Sequence, residues 1–366
     1  MTTKEALFKL LRIAIGNCDD LSLPEDVSFL DVMDLSETAG VNGLIVCGFQ
    51  KLVDNGFRLM PVTQEDKKRL KTWVGLSMRL EQKSSMQWQT VQELVDLFAK
   101  NGITTVGLKG MTVSQWYPNP MHRASCDFDC FLLKMNSSGK YSFSYEEGNK
   151  AIEEVGLSVD RNIYVHSVFK YKELLVENHH YLAAVKLSKR HKRMDELLRW
   201  LLVNEPLQPV LNSQLMMGPP MFNALFLTHH AHRHFLNEYM PVKLLTDWAL
   251  FIRNNASLDW KRYWSYADEF GMLRFAQSIT RLSGSLLGAN LPFELPTDDE
   301  ADCLLEECIW DLPSSSASGG KSLFKRRLGI VSNLLRSRHR YKVFYDTSSL
   351  GMILAYVRGY LFGGEE

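Results

Sequence analysis

Apolar positions in the first hundred residues recur at helical spacing. In Leu7-Phe-Lys-Leu-Leu-Arg-Ile-Ala-Ile15 they are interrupted by Lys9 and Arg12, the pattern of an amphipathic helix rather than a signal peptide. Residues 31–56 read as two short helices broken near Gly40 and Gly43. A long helix is expected from about Thr63 to Lys100, opened by a cap at Thr63-Gln-Glu-Asp66 and closed by Asn101-Gly102. The texture then changes. Residues 103–108, ITTVGL, are short and β-branched, as in a strand, and CDFDCFLL (126–133) reads as a second. Between them lie a turn, a short helix and a Pro-terminated loop. After a polar loop, YEEGNKAIEEVG (145–156) is helical, and residues 162–185 alternate as a hairpin would. From about Arg190 helical periodicity returns and runs to the end, interrupted by the Ser/Gly-rich stretch 313–322. There is no internal repeat.

This pattern predicts an α+β protein, mostly helical: an N-terminal helical region (1–95), a small mixed-sheet α/β core (96–190) and a C-terminal helical domain (191–366). The 366 residues are 45% hydrophobic and 23% charged, which is globular rather than disordered composition. Lys+Arg 42 balances Asp+Glu 42, so net charge selects no partner. Six cysteines without regular CxxC spacing suggest reduced thiols. No run approaches the ~20 apolar residues of a membrane span. A soluble, cytoplasmic protein is the expectation.

Within this frame, two carboxylates two residues apart in an apolar run need an explanation, because buried charge is costly unless paired. On a strand, residues i and i+2 share a face. Asp127 and Asp129 therefore look one way, while Cys126, Phe128 and Cys130 look the other. The cysteines, about 13 Å apart on a straight strand, are too distant for a disulfide and fit as small core residues. Two oxygen ligands on one edge suit a hard divalent cation such as Mg²⁺, which completes its shell with water and substrate phosphates. Upstream, Gly110 permits close backbone approach to a phosphate, Thr112 and Ser114 add hydroxyls, and Lys109 and Arg123 add positive charge. The plainer alternatives are a solvated strand end for Lys109 and an ion pair with Asp127 or Asp129 for Arg123. Downstream, Glu177 in LLVENHHYL adds a third carboxylate if its strand lies beside the Asp strand. His179 shares the face of Glu177 and is placed to orient it or touch substrate, or to serve as a satisfied structural histidine.

The stretch LKGMTVSQWYPNPMHRASCDFDCFLL (108–133), with the later VENH (176–179), resembles the uncharacterised nucleotidyltransferase family of the DNA polymerase beta-like nucleotidyltransferase superfamily. Less specifically, HHAHRHFLNEYMPVKLLTDWALFI and SLDWKRYWSYADEFG resemble that family's His-bearing helix, its Leu-Leu-x-Asp helix and its Asp-Trp pair. The resemblance implies metal-dependent transfer of a nucleoside monophosphate from an NTP to an acceptor hydroxyl, with Mg²⁺ or Mn²⁺. It implies that Asp127 and Asp129 bind the metal and that Glu177 binds a second metal or takes the acceptor proton. It makes Gly110 the glycine of the phosphate-binding turn. The acceptor would be a small molecule or sugar, a protein hydroxyl or an RNA end. Two other readings stand beside it: a catalytically inactive nucleotide- or partner-binding protein on the same fold, and a toxin-like RNA-modifying nucleotidyltransferase.

Three further features bear on function. His229, His230, His232 and His234 pair by helical spacing, but Ala231 stands where an HExxH zinc motif needs Glu. SGGKS (318–322) lacks the first glycine of a P-loop, Ser315 standing in its place, and follows no strand. The segment 321–344 carries many Lys and Arg and no acid, so that 321–342 offers a basic face to nucleic acid, an anionic lipid or an acidic protein.

Overall fold

The structure, a computed structural model, describes residues 1–24, 27–57, 63–237, 239–310, 338–344, 350–351 and 354. The N-terminal helices follow the sequence pattern. Helix α1 (Thr3–Ile15) opens on a reciprocal capping box between Thr2 and Glu5 and ends at Gly16 in the left-handed region. Helices α2 (Phe29–Thr38) and α3 (Asn42–Asp54) part at Ala39–Val41. Gly43 is not a second break but lies inside α3, where a Cβ would stand 2.5 Å from the carbonyl oxygen of His122. Its bare backbone lets α3 rest on the chain at His122. Helix α4 (Gln64–Lys100) has the expected cap, Thr63 and Asp66 bonding each other's backbone N–H.

A mixed sheet follows: β1 (Ile103–Gly107), β2 (Asp127–Met135), β3 (Tyr141–Phe143), β4 (His166–Tyr171), β5 (Leu174–His179), β6 (Gln208–Pro209) and β7 (Met216–Met217). The strand order is β4-β5-β2-β1-β7-β6, with β3 on the far end of β2. Neighbours β1/β2 and β4/β5 are antiparallel, whereas β2/β5 and β1/β7 are parallel. The two-residue strands β6 and β7 extend the sheet from a region whose periodicity is otherwise helical. Helix α5 (Tyr145–Glu154) lies between β3 and β4 in sequence. The helices that follow among the described residues include α6 (Lys189–Asn204), α7 (Pro220–Asn237), α8 (Val242–Asn254), α9 (Trp260–Glu269), α10 (Leu273–Leu287), α11 (Asp299–Trp310) and α12 (Arg338–Phe344). The protein is α+β and mostly helical.

The alternation along β2 divides two apolar cores. Phe128, Cys130 and Leu132 join Leu94 and Phe98 of α4 and Ile152 of α5 in one cluster. Phe131 and Leu133 join the other, with Leu7, Leu198, Leu225, Trp248 and Phe275 from α1, α6, α7, α8 and α10. Each such large side chain contributes about 1.5–3 kcal/mol on burial. Both faces of the sheet are therefore covered, and the face bearing Asp127 and Asp129 is the one turned toward the second cluster. Cys130 is a core residue as expected, but Cys126 precedes the strand and is exposed.

Among the described residues no helix is long and apolar enough to cross a membrane. The P-loop-like stretch 318–322 and residues 321–337 of the basic segment lie outside the described residues. The described remainder of that segment begins α12, which buries Tyr341, Val343 and Phe344 while Arg340 donates to the Phe235 carbonyl.

Candidate functional site

The parallel pairing of β2 with β5 sets Asp129 directly beside Glu177. Strand parity adds Asp127 on the same face. Oxygen atoms from Asp127, Asp129 and Glu177 all lie within 4.8 Å of one another. Asp129 is 1% exposed, whereas Asp127 and Glu177 reach solvent in part. Three clustered carboxylates repel one another unless positive charge intervenes. Lys109, just beyond β1, puts its Nζ 2.7 Å from Asp129 Oδ2 and 3.7 Å from Asp127 Oδ2. The first contact is ionic but poorly aligned as a hydrogen bond, so the buried Oδ2 has no aligned donor. Lys109 is thus not a solvated strand end. Its ammonium neutralises the carboxylates from the β1 side.

His179 neutralises them from the other side. Its Nδ1 lies 3.2 Å from the Tyr181 carbonyl and its Nε2 lies 3.1 Å from Asp129 Oδ1. Both partners are acceptors, so both ring nitrogens donate and the ring is an imidazolium. Burial, the largest single influence, opposes that charge. Its contacts with Asp129 and Glu177 outweigh burial and hold its pKa up at about 9. Burial likewise works to raise the pKa of Asp129, but the His179 hydrogen bond and the Lys109 charge hold it well below the usual carboxylate range.

One residue at this face was missed by the sequence reading. The antiparallel β4/β5 hairpin places His166 opposite His179. His166 Nδ1 stands 3.7 Å from Glu177 Oε2 and is buried without a hydrogen-bond partner. Burial pushes its pKa down, against the pull of Glu177. The tight turn between Tyr171 and Leu174 was the available signal, since counting back from it pairs 166 with 179.

Between β1 and β2, three residues, Thr112, Ser114 and Arg123, are not placed as the sequence suggested. Gly110 adopts φ +62, and a Cβ there would lie 2.6 Å from Ser125 Oγ; glycine is required by both backbone and space. Thr112 and Ser114, expected to offer hydroxyls to a phosphate, are instead buried in the 3-10 helix Gly110–Trp116. Ser114 Oγ donates to the Met111 carbonyl at 2.6 Å, and Thr112 Oγ1 fills the space over Gly107. Arg123 pairs with neither Asp127 nor Asp129, nor is its guanidinium free for a polyphosphate. It is buried and donates to Asp247 of α8, Nη2 to Oδ2 at 2.6 Å and Nε to Oδ1 at 3.2 Å. Tyr117 donates to the same carboxylate at 2.6 Å. Asp247 is the aspartate of the Leu-Leu-x-Asp segment, so that motif anchors the loop entering β2.

Two helices complete the surroundings. His230 of α7 lies where the charges of Lys109 and Asp129 act on it, and burial, the larger effect, pushes its pKa down. Lys243 of α8 lies within reach of the charges of Asp247 and Asp127, its pKa lowered chiefly by burial. On the other side of His179 is a cavity of about 270 Å³ lined by Phe143, Tyr145, Glu146, His180 and Arg199 among others. Its wall includes Tyr145 and His180 stacked 4.5 Å apart at 11°.

A divalent cation fits these residues. The donors are all oxygen, at least one of them is buried without an aligned donor, and their spacing falls within one coordination sphere. The model of a family described as uncharacterised nucleotidyltransferase matches residues 31–288 of the chain. No curated protein and no solved structure matches it.

Proposed function

The chain belongs to the uncharacterised nucleotidyltransferase family, and from that premise we propose that it moves a nucleoside monophosphate from an NTP to an acceptor hydroxyl at the face carrying Asp127, Asp129 and Glu177. The observation that carries this reading is the register pairing of Asp129 with Glu177, which brings three carboxylates within 4.8 Å. These three residues would hold Mg²⁺ or Mn²⁺. When bound, a divalent cation neutralises phosphate charge and stabilises the attacking and leaving oxygens of an in-line displacement.

The chain's own groups do the rest. The acceptor oxygen bonds the α-phosphorus as the bond from that phosphorus to the bridging oxygen of the β-phosphate breaks. Pyrophosphate leaves, and the acceptor's proton passes to Glu177, which is solvent-accessible and able to act as base. His179 holds Asp129 in place through Nε2. Lys109 exchanges its carboxylate partners for the polyphosphate once the carboxylates are otherwise neutralised, and its charge then opposes the charge building on the leaving group. Gly110 lets the chain turn closely at that point. The cavity lined in part by His179 gives room for the acceptor.

The test is incubation with each α-labelled NTP and a divalent cation, with and without cell extract. Label on protein, RNA or a small molecule identifies the acceptor class. The expected result is label transfer by the wild-type chain and its loss in Asp129→Asn. Transfer that persists unchanged in Asp129→Asn, or an NTP with Mg²⁺ that neither shifts the Tm nor labels anything, overturns the reading.

A further inference from the structure

We propose that His166, Glu177 and His179 form a second cation position with mixed nitrogen and oxygen ligands, which takes a borderline divalent transition metal such as Zn²⁺ or Co²⁺ in preference to Mg²⁺. Its meaning for catalysis rests on the nucleotidyltransferase reading; the binding itself does not.

Register brings the trio together. His179 follows Glu177 by two on β5, so both share a face. His166 lies opposite His179 across the antiparallel β4/β5 pair, with ring centroids 5.2 Å apart. The ligand atoms all lie within 4.8 Å of one another. Glu177 Oε2 is 3.7 Å from His166 Nδ1 and also 3.7 Å from His179 Nε2. A tetrahedral ion with bonds of about 2.1 Å separates its ligands by about 3.4 Å, so only small side-chain movements close the trio around one ion.

The ligand chemistry selects the metal. Mg²⁺ takes oxygen donors and dehydrates reluctantly. Two imidazoles and one carboxylate suit borderline first-row divalent ions, and leave positions open for water or substrate. His166 Nδ1 is buried and makes no hydrogen bond, a polar atom that a metal would satisfy. His179 is already oriented for ligation, because its Nδ1 donates to the Tyr181 carbonyl and leaves Nε2 aimed between Asp129 and Glu177. A backbone carbonyl behind a ligating histidine fixes the ring and raises its basicity. A metal at Nε2 would take the place of its contact with Asp129. Glu177 belongs to both the oxygen trio and this one, so the two positions would be bridged by a single carboxylate.

The experiment uses the full chain without an affinity tag, stripped of metal and titrated with Co²⁺ in the absence of nucleotide, followed by its visible d–d absorption. The expected result is uptake with bands of nitrogen-ligated cobalt, weakened at least tenfold in affinity in His166→Ala and in His166→Gln. Circular dichroism of both variants checks that they fold. No cobalt uptake, or bands that persist in both His166 variants, overturns the proposal. Failure of the nucleotidyltransferase reading leaves the cobalt result standing. Failure of the cobalt result leaves Asp129-dependent label transfer standing.

Discussion

Asp247 on α8 accepts two of the hydrogen bonds by which Arg123, just ahead of β2, is held inside the protein. Neither side chain is more than 5% exposed. Removing one partner of such a pair leaves the other charge buried and uncompensated, at a cost of roughly 3–5 kcal/mol. Asp247→Ala is therefore expected to lower the unfolding free energy in urea by about that amount, and Asp247→Asn by less. An Asp247→Ala protein as stable as wild type would show that the guanidinium finds water.

Lys109 competes with any cation for Asp127 and Asp129. Lys109→Met removes a charge 2.7 Å from Asp129 Oδ2. The expected outcome is tighter Mn²⁺ binding by calorimetry, about tenfold for a ~1.4 kcal/mol effect, together with slower label transfer from the NTP. Unchanged Mn²⁺ affinity would mean that the ammonium and the cation occupy separate space.

Acid should destabilise the helical half. Burial holds His232 at a pKa of about 3 and His191 at about 4, against an ordinary value of 6.5. His229 is also pushed well down, burial being the main cause. For a depressed histidine the folded state binds fewer protons than the unfolded chain below 6.5. Its stabilising contribution is therefore whole above that pH and is lost as pH falls toward the folded value. For His232, 2% exposed, the whole effect is on the order of 5 kcal/mol. Tm measured from pH 7 down to pH 4 should fall, and His232→Gln should flatten the slope. A Tm independent of pH over that range would contradict the burial argument.

Gly110 and Gly40 share a left-handed backbone, φ +62 and +70, but only Gly110 has an atom where a Cβ would go. Alanine at either position costs about 1–2 kcal/mol in backbone strain. Gly110→Ala must also push Ser125 aside, so it should be the more destabilising, and it alone should slow label transfer by displacing Lys109. Equal Tm losses in the two variants would show that Ser125 gives way freely.

Much of the site was legible before the fold. The parity of Asp127 and Asp129 followed from a two-residue spacing, and Glu177 with His179 from the next strand-like run, because β patterns fix facing over short distances. What escaped the sequence was long-range. Arg123 meets Asp247 across 124 positions, and no local pattern announces a partner that distant. Thr112 and Ser114 carry suitable chemistry, but the 3-10 helix that holds them turns both inward. Cys126 shares the parity of Cys130 yet lies just outside the strand, where parity no longer implies burial. Strands β6 and β7 are too short to display any period, and β7 is identified as strand only by its pairings with β1 and β6.

The parallel pairing of β2 with β5 has a thermodynamic side. Asp129 and Glu177 meet only after the chain has passed through β3, α5 and β4 and returned, a closure whose entropy cost is repaid late in folding. The unfolded chain therefore separates Glu177 from Asp127 and Asp129 and has little affinity for a divalent ion. A ligand that binds only the native state raises its population by mass action, by about 2.7 kcal/mol at a hundredfold excess over Kd. The melting temperature of this protein should consequently track the logarithm of free cation concentration, making a simple melt a gauge of how well its carboxylates are assembled.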